Sequence, residues 1–472
     1  MPPRSMLNRT ALCFATIVVS AVTAQAGVKM NAMCYLESKE NASVTAFNPT
    51  KQEIAKSKFL KKYPTGVNAE DITTKYRIAS LSKVLTTHWA VAVLGPEYRF
   101  KTKIYLTPGP TEKTCNLHFE GSGDPYMGRD MLGTVFPQIR QVLKSKGCTS
   151  VDTISYDENF RVYLDVLKHQ RNEAAGWNNP APLVGKIRTS VDFQAYLKYK
   201  SGLKYKEKNV GPISKERYQA YVTQVPYQVY SFKSRPLHMM LRDFNKYSFN
   251  YAPEILFQTL GGPEAYRSFI ENRLHLSANS VEMYNGSGYP IAHPDENEDG
   301  QIYNLVSCSA LVKITQDLDN LLMNYKGSRS FQLADVMAVG GDGETYSTFK
   351  SFYNGSTYKN TLVAKTGSAN LAITFGGMLS TSEGHLYFAV LTRPDVYGGS
   401  DVDNARFYIR DLVQTLVNRK TLTRFPYTQI GNMVGYDKEA TLVEEKTVAA
   451  TPAPVPEKPE VKEPTKIPLK MN

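Results

Sequence analysis

An α+β fold is expected from three features of the 472-residue chain. Helix-patterned segments fill most of the stretch from Pro236 to Tyr325. Three strand-patterned segments follow, Thr361 to Gly367, Ala372 to Leu379 and Leu386 to Leu391. Val402 to Val417 then returns as a helix with Phe407, Ile409, Leu412 and Leu416 on its apolar side. Consecutive strands with short links form an antiparallel meander, and helices before and after it pack around one sheet. With 42% hydrophobic residues the chain can bury a sizeable core, and its length allows two or three domains.

Taken in order, the chain opens with Arg4 and Arg9, an apolar run from Ala11 to Val22, and Ala24-Gln25-Ala26. Charged region, hydrophobic region and small-residue site make a secretory leader, so export with cleavage after Ala26 is expected, into the periplasm or beyond. An uncleaved anchor is the alternative, disfavoured because the run is short for a bilayer. Residues 27 to 75 are mixed, with a helix and a strand closing onto the core. Val84, Leu85, Trp89, Val91, Val93 and Leu94 recur at helical spacing up to Gly95-Pro96. Arg99 to Leu106 and Leu117 to Glu120 alternate as strands, Gly121 to Pro125 is a turn, Leu132 to Ser145 an amphipathic helix, and Val151 to Tyr156 a strand. Residues 157 to 225 are rich in Tyr, Lys and Asn with weak periodicity and receive no assignment. Helices are expected around His238 to Phe244, from Tyr251 to Leu260 with Gly261-Gly262-Pro263 as its stop, from Tyr266 to Leu274, and from Asn304 to Tyr325. Past about residue 436 the composition shifts, and the proline-rich stretch Thr451 to Asn472 reads as an extended, disordered spacer.

Cys13 leaves with the leader, and Cys34, Cys115, Cys148 and Cys308 remain. An even count in an exported chain allows up to two disulfides and three pairings; Cys115 with Cys148 is favoured because they flank one segment. No cysteine or histidine spacing suits a metal site, so neither metal nor other cofactor is expected. The formal charge of +12 favours an anionic partner. Export disfavours nucleic acid, which leaves a carboxylate-rich wall polymer or a membrane surface, with a merely soluble basic surface as the plain alternative.

Ser80-Leu81-Ser82-Lys83 opens the first apolar helix, with Lys83 one turn after Ser80 on the same face. A serine hydroxyl needs a group to take its proton, and an ammonium in a partly apolar wall loses enough basicity to serve. Alone the signal is weak: about one or two S-x-x-K matches arise by chance in a chain of this length. Two further triplets give it weight, Ser248-Phe249-Asn250 at a helix start and Lys365-Thr366-Gly367 ending a late strand. S-x-x-K, S-x-N and K-T-G in that order are the signature of active-site serine β-lactamases and penicillin-binding proteins.

The surrounding phrases narrow the match. Arg77-Ile78-Ala79-Ser80, Gly121-Ser122-Gly123-Asp124-Pro125, Ser248-Phe249-Asn250-Tyr251-Ala252, Asn285-Gly286-Ser287-Gly288, Gly340-Gly341-Asp342-Gly343 and Ala364-Lys365-Thr366-Gly367-Ser368 span most of the mature chain. In these the sequence resembles the D-alanyl-D-alanine carboxypeptidase/endopeptidases of the penicillin-binding protein 4 type, class C low-molecular-mass penicillin-binding proteins of peptidase family S13. It departs from them in a shorter interval between Lys83 and Ser248 and a longer, more acidic stretch from Tyr289 to Gln301. The resemblance implies a penicillin-binding/transpeptidase-like fold, an antiparallel sheet with helices on both faces. It divides the chain into a catalytic domain at 27–100 and 226–436, an inserted domain at 101–225 and a tail at 437–472.

It also implies roles. Ser80 is the acylated nucleophile and Lys83 its base; Ser248 relays the proton to the leaving amine, held by Lys83 and Lys365. Asn250 donates to the substrate's penultimate peptide carbonyl. Lys365 keeps Lys83 neutral by like-charge repulsion. Thr366 and Ser368 bind the terminal carboxylate, the backbone N–H groups of Ser80 and Ser368 form the oxyanion hole, and Gly367 leaves room for the substrate strand. Asp124 and Asp157 either cap turns, the plainer role, or meet the free amine of diaminopimelate. The implied activity is hydrolysis of D-Ala-D-Ala termini and D-Ala-to-diaminopimelate cross-links of peptidoglycan stem peptides, with β-lactams as covalent inhibitors. A serine β-lactamase, which would turn penicillin over, and a non-catalytic wall-associated protein on the same fold are the alternatives.

Overall fold

The computed structural model describes residues 27–63, 65–163, 186–293, 300–341, 347–349, 353, 355–395, 399–428 and 440–448. The expected leader, Asp342-Gly343 and the proline-rich stretch 451–472 lie outside the described residues.

The meander forms as its patterning requires. Strands Leu362–Ala369, Ala372–Thr381 and Gly384–Pro394 pair antiparallel. Ala338–Val339 adds one edge, and Val28–Glu37 followed by Thr45–Ala46 the other, completing six strands. Successive side chains take opposite faces. On the outermost of the three, Phe388 and Val390 enter the core beneath the closing helix Gly399–Asn418, with its Tyr408, Ile409 and Leu412. Tyr387, Ala389 and Leu391 enter the other core, with Leu311, Val312 and Leu318 of helix Cys308–Met323 and Leu85 and Trp89 of helix Ser82–Leu94. Both faces are thus covered by helices. A disulfide from Cys34 to Cys308 ties the strand Val28–Glu37 to a covering helix, and Cys115 pairs with Cys148 as expected.

A second six-stranded sheet has the order Val443–Val448, Tyr227–Lys233, Lys101–Pro108, Thr114–Glu120, Ser150–Tyr156, Val210–Pro212. It departs from expectation at both limits. Tyr227–Lys233 carries it beyond residue 225, and Val443–Val448, inside the expected tail, pairs with that strand through Val443↔Ser231 and Val448↔Tyr227. Gln138 fixes the entry to this last strand, donating to the Ala440 carbonyl at 2.9 Å and accepting from Leu442 N at 2.8 Å. Its exposed, charged side chains resemble a tail in composition because it lies on a sheet edge, where charge is tolerated. One face of this sheet joins the main core, Ile104, Leu117, Phe119 and Phe136 belonging to the same cluster as Leu81, Trp89 and Leu256, while Tyr105 and Val229 form a small separate core with Tyr218 and Val222.

Three other segments differ. The stretch 157–225, given no assignment from sequence, contains helices Lys186–Tyr199 and Lys215–Val222, whose Phe193, Tyr196 and Tyr218 are buried. Gly262-Pro263 begins the helix Gly262–Leu274 rather than ending the previous one, with proline in the first turn where its missing N–H costs nothing. Leu305–Ser307 is a short strand against Lys75–Arg77, and the long helix starts only at Cys308, where the Ser307 hydroxyl caps Ala310 N at 3.2 Å.

Candidate active site

The strand Lys75–Arg77 runs into a single 3-10 turn, Ala79–Leu81, before helix Ser82–Leu94 begins. Ala79 is held at φ +49°, a left-handed conformation that costs a non-glycine residue energy. The surroundings impose it. Ser82 Oγ donates to Ala79 O at 2.7 Å, Asn304 donates to Ser82 Oγ at 2.8 Å, and Thr374 Oγ1 donates to Ile78 O at 2.9 Å. Ser80 is thereby set, half-buried, on a rigid turn.

Lys83 is fully buried. Its Nζ donates to Ser80 Oγ, Asn250 Oδ1 and the Ser287 carbonyl, each at 2.8 Å. Burial pushes its pKa down to about 7, against the opposing pull of the Glu254 carboxylate. A second pair faces it. Lys365, also fully buried, donates to Ser248 Oγ at 2.9 Å, and burial, reinforced by the charge of Lys83, holds it well below the usual lysine range. Ser248 closes helix Leu237–Tyr247 in a left-handed conformation at φ +59°. Asn250 spends its carbonyl on Lys83, leaving its amide to donate, and stands at the start of helix Tyr251–Thr259. Thr366 and Ser368 sit two apart on the strand, on one face, both half-buried.

Three expectations are corrected. Lys83 does not hold Ser248 among the described contacts; its three hydrogen bonds go elsewhere, and Lys365 alone holds that hydroxyl. Loss of water, not repulsion by Lys365, is the main depressant of Lys83. Gly367 faces inward rather than toward a substrate strand: a Cβ there would lie 2.1 Å from Thr374 Oγ1, 2.9 Å from Ile78 O and 3.2 Å from Ser80 N.

The loop Asn285–Gly288, noticed in the sequence only as a phrase, supplies an acceptor that the motifs do not contain, the Ser287 carbonyl. Its glycines are required by close approach. A Cβ on Gly286 would meet Pro253 O at 2.1 Å, and one on Gly288, at φ +76°, would meet Ala79 O at 1.9 Å. Asp157 and Asp124 cap turns: Asp157 Oδ1 accepts from Gly121, Asn159 and Phe160 N within 3.1 Å, and Asp124 Oδ1 from Tyr126 N at 2.9 Å.

Two buried lysine–serine pairs converging on one cleft beside a sheet edge define an active-site serine acyl-transfer enzyme of the penicillin-binding fold. The chain belongs to the D-Ala-D-Ala carboxypeptidase 3 (S13) family, whose profile matches residues 68–177 and 213–415, and is accordingly a serine DD-peptidase. Among solved structures it is similar to Bd3459, a predatory peptidoglycan endopeptidase from Bdellovibrio bacteriovorus, with 26% identity and a TM-score of 0.69 over 89% of this chain and 100% of that one. It is similar to the same endopeptidase acylated by penicillin G in complex with immunity protein Bd3460, with 26% identity and a TM-score of 0.65 over 89% and 100% of the two chains. Penicillin-binding protein 4 of Haemophilus influenzae shares the fold, at 15% identity and a TM-score of 0.54 over 83% and 96%. No curated protein matches the chain.

Proposed function

We propose that this protein is an exported, penicillin-sensitive DD-peptidase that hydrolyses D-Ala-D-Ala termini and D-Ala-to-diaminopimelate cross-links of peptidoglycan through an acyl-enzyme on Ser80. The observation that carries this reading is the 2.8 Å contact between Lys83 Nζ and Ser80 Oγ in a site where the amine titrates near 7. Neutral Lys83 takes the hydroxyl proton as Ser80 Oγ bonds to the carbonyl carbon of the penultimate D-alanine. The carbonyl electron pair moves onto oxygen, where the N–H groups of Ser80 and Ser368 receive it, a contribution of about 3 kcal/mol per donor in serine hydrolases. The C–N bond then breaks. Ser248, held by Lys365, gives its proton to the leaving amine and is restored from the protonated lysine. Water repeats the sequence on the ester. Asn250 and the hydroxyls of Thr366 and Ser368 hold the peptide and its terminal carboxylate. Penicillin enters as a cyclic stand-in for the scissile amide.

Support also comes from the Bdellovibrio relative, named a peptidoglycan endopeptidase and acylated by penicillin G. A class A β-lactamase presents a glutamate to the acyl ester, whereas Glu254, which acts on Lys83, has both oxygens turned to the Gly286 and Ser287 N–H groups. Fluorescent penicillin is expected to label the wild type in a long-lived adduct and to leave Ser80→Ala unlabelled; undiminished labelling of that variant excludes the assignment. Digestion of defined muropeptides, with products weighed by mass spectrometry, is expected to yield free D-alanine or split dimers. Cell fractionation is expected to find a periplasmic or secreted form beginning at Gly27.

A further inference from the structure

Glu254 lies one turn after Asn250 on helix Tyr251–Thr259, in the middle of the wholly buried run Tyr251 to Phe257. A carboxylate there is costly unless its oxygens are satisfied. Oε1 accepts from Ser287 N at 3.0 Å and Oε2 from Gly286 N at 3.3 Å, and the Ser287 hydroxyl adds a third donor. The N–H groups that Glu254 holds belong to the Asn285-Gly286 and Gly286-Ser287 peptides, and the Ser287 carbonyl lies in the next peptide, whose Gly288 N–H donates to Asn285 Oδ1 at 2.8 Å. The Gly286 carbonyl accepts from Thr86 Oγ1 and the Ser287 carbonyl from Lys83 Nζ, both at 2.8 Å. Gly288, pressed on Ala79 O, stops the loop from sliding.

We propose that Glu254 is a positioning residue for the Lys83 base: it anchors Ser287 by its N–H and hydroxyl, and so sets the carbonyl that aims the amine at Ser80, and its negative charge balances the proton that Lys83 takes from Ser80. This rests on the roles of Ser80 and Lys83 proposed above. The charges in the buried cleft are Lys83 from the nucleophile helix, Lys365 from the strand Leu362–Ala369 and Glu254 from its own helix. Burial raises the pKa of Glu254, opposed by its Ser287 and Gly286 donors and by Lys83; Glu254 in turn raises Lys83, and Lys83 depresses Lys365. One carboxylate beside two lysines neutralises one proton, the one that shuttles.

The test is the rate of acylation by fluorescent penicillin from pH 5 to pH 10 in the intact wild type, Glu254→Gln and Glu254→Asp, with thermal melting alongside. The wild-type rate is expected to rise with pH as Lys83 loses its proton. In Glu254→Gln, without the counter-charge, Lys83 loses its proton more readily, so the rising limb moves about one pH unit lower. The plateau falls roughly tenfold or more because the base is weaker and less well aimed. Glu254→Asp keeps the charge but is one methylene short, so its limb stays and its plateau falls. A Glu254→Gln limb that coincides with the wild type overturns the proposal, whatever its plateau or melting temperature. If Glu254→Gln does not fold, Glu254→Asp decides, and wild-type kinetics in that variant overturn the proposal. A wild type that takes no penicillin overturns instead the functional reading on which it rests.

Discussion

Lys83 and Asp319 are both fully buried ionisable groups on helices that cover the same face of the first sheet, and they serve opposite ends. Asp319, on helix Cys308–Met323, receives His385 Nδ1 at 2.6 Å and the Tyr387 hydroxyl at 2.8 Å, both from strand Gly384–Pro394. Those contacts join one framework element to another. Lys83 holds instead a half-buried hydroxyl, and its cleft includes Ala79 and Ser248 in left-handed backbone. Burial of charge alone therefore does not mark a site. It does so where the partner opens onto solvent and the backbone around it is strained.

That distinction can be broken by paired substitutions. Lys83→Ala is expected to slow penicillin acylation by about 10²–10⁴-fold. It also leaves Asn250 Oδ1, the Ser287 carbonyl and the Glu254 charge without their buried partner, so the rate is read on the folded fraction. Acylation at the wild-type rate would place the base elsewhere. Asp319→Ala is expected to leave acylation of the folded protein unchanged while costing about 1–3 kcal/mol for each donor orphaned. A variant at Asp319 that melted normally yet failed to acylate would dissolve the contrast.

Two glycines sharpen it further. A Cβ on Gly377 would lie 2.1 Å from Val363 O, as confined as one on Gly367 beside Thr374 Oγ1, but only Gly367 also borders Ser80 N. Both alanine variants are expected to lose about 1–3 kcal/mol to overpacking in urea denaturation. Only Gly367→Ala should also lower the acylation rate of the folded fraction, by displacing the oxyanion donor. Equal rates in the two variants would show that Gly367 is structural alone.

What the sequence made legible was local along the chain. Ser80, Lys83, Ser248, Asn250 and Lys365 stand in spaced motifs, and the meander strands differ from expectation by a few residues at their ends. What it hid depends on neighbours across space. Gly367 faces Thr374 because register pairs the two, which no spacing within either strand reveals. Ser287 contributes through its carbonyl, a group every residue has. Val443–Val448 looked like tail because an edge strand needs no apolar face, and Leu305–Ser307 looked helical because its two apolar residues continue the helix pattern that follows. Glu254 had a signal that was readable, a carboxylate inside an otherwise apolar, helix-spaced run, but the sequence alone does not say what it neutralises.

The smallest expected effect tests the comparison through pH. Asp319, mainly by its hydrogen bond, raises the pKa of His385 above the ordinary value. A group whose pKa is higher folded than unfolded contributes stability that is fully present below the unfolded value, about 6.5, and lost as pH rises through the folded one. Lys83 works in the other sense, because acylation needs its neutral form and so grows as pH rises through about 7. Between mildly acidic and mildly alkaline conditions the enzyme should therefore gain acylation rate while losing the part of its stability that His385 supplies. Asp319→Asn should flatten the second trend and leave the first untouched, read as melting temperature against pH beside acylation rate against pH. If both trends shift together, the two buried networks are one coupled system, and the division between framework charge and working charge does not hold in this molecule.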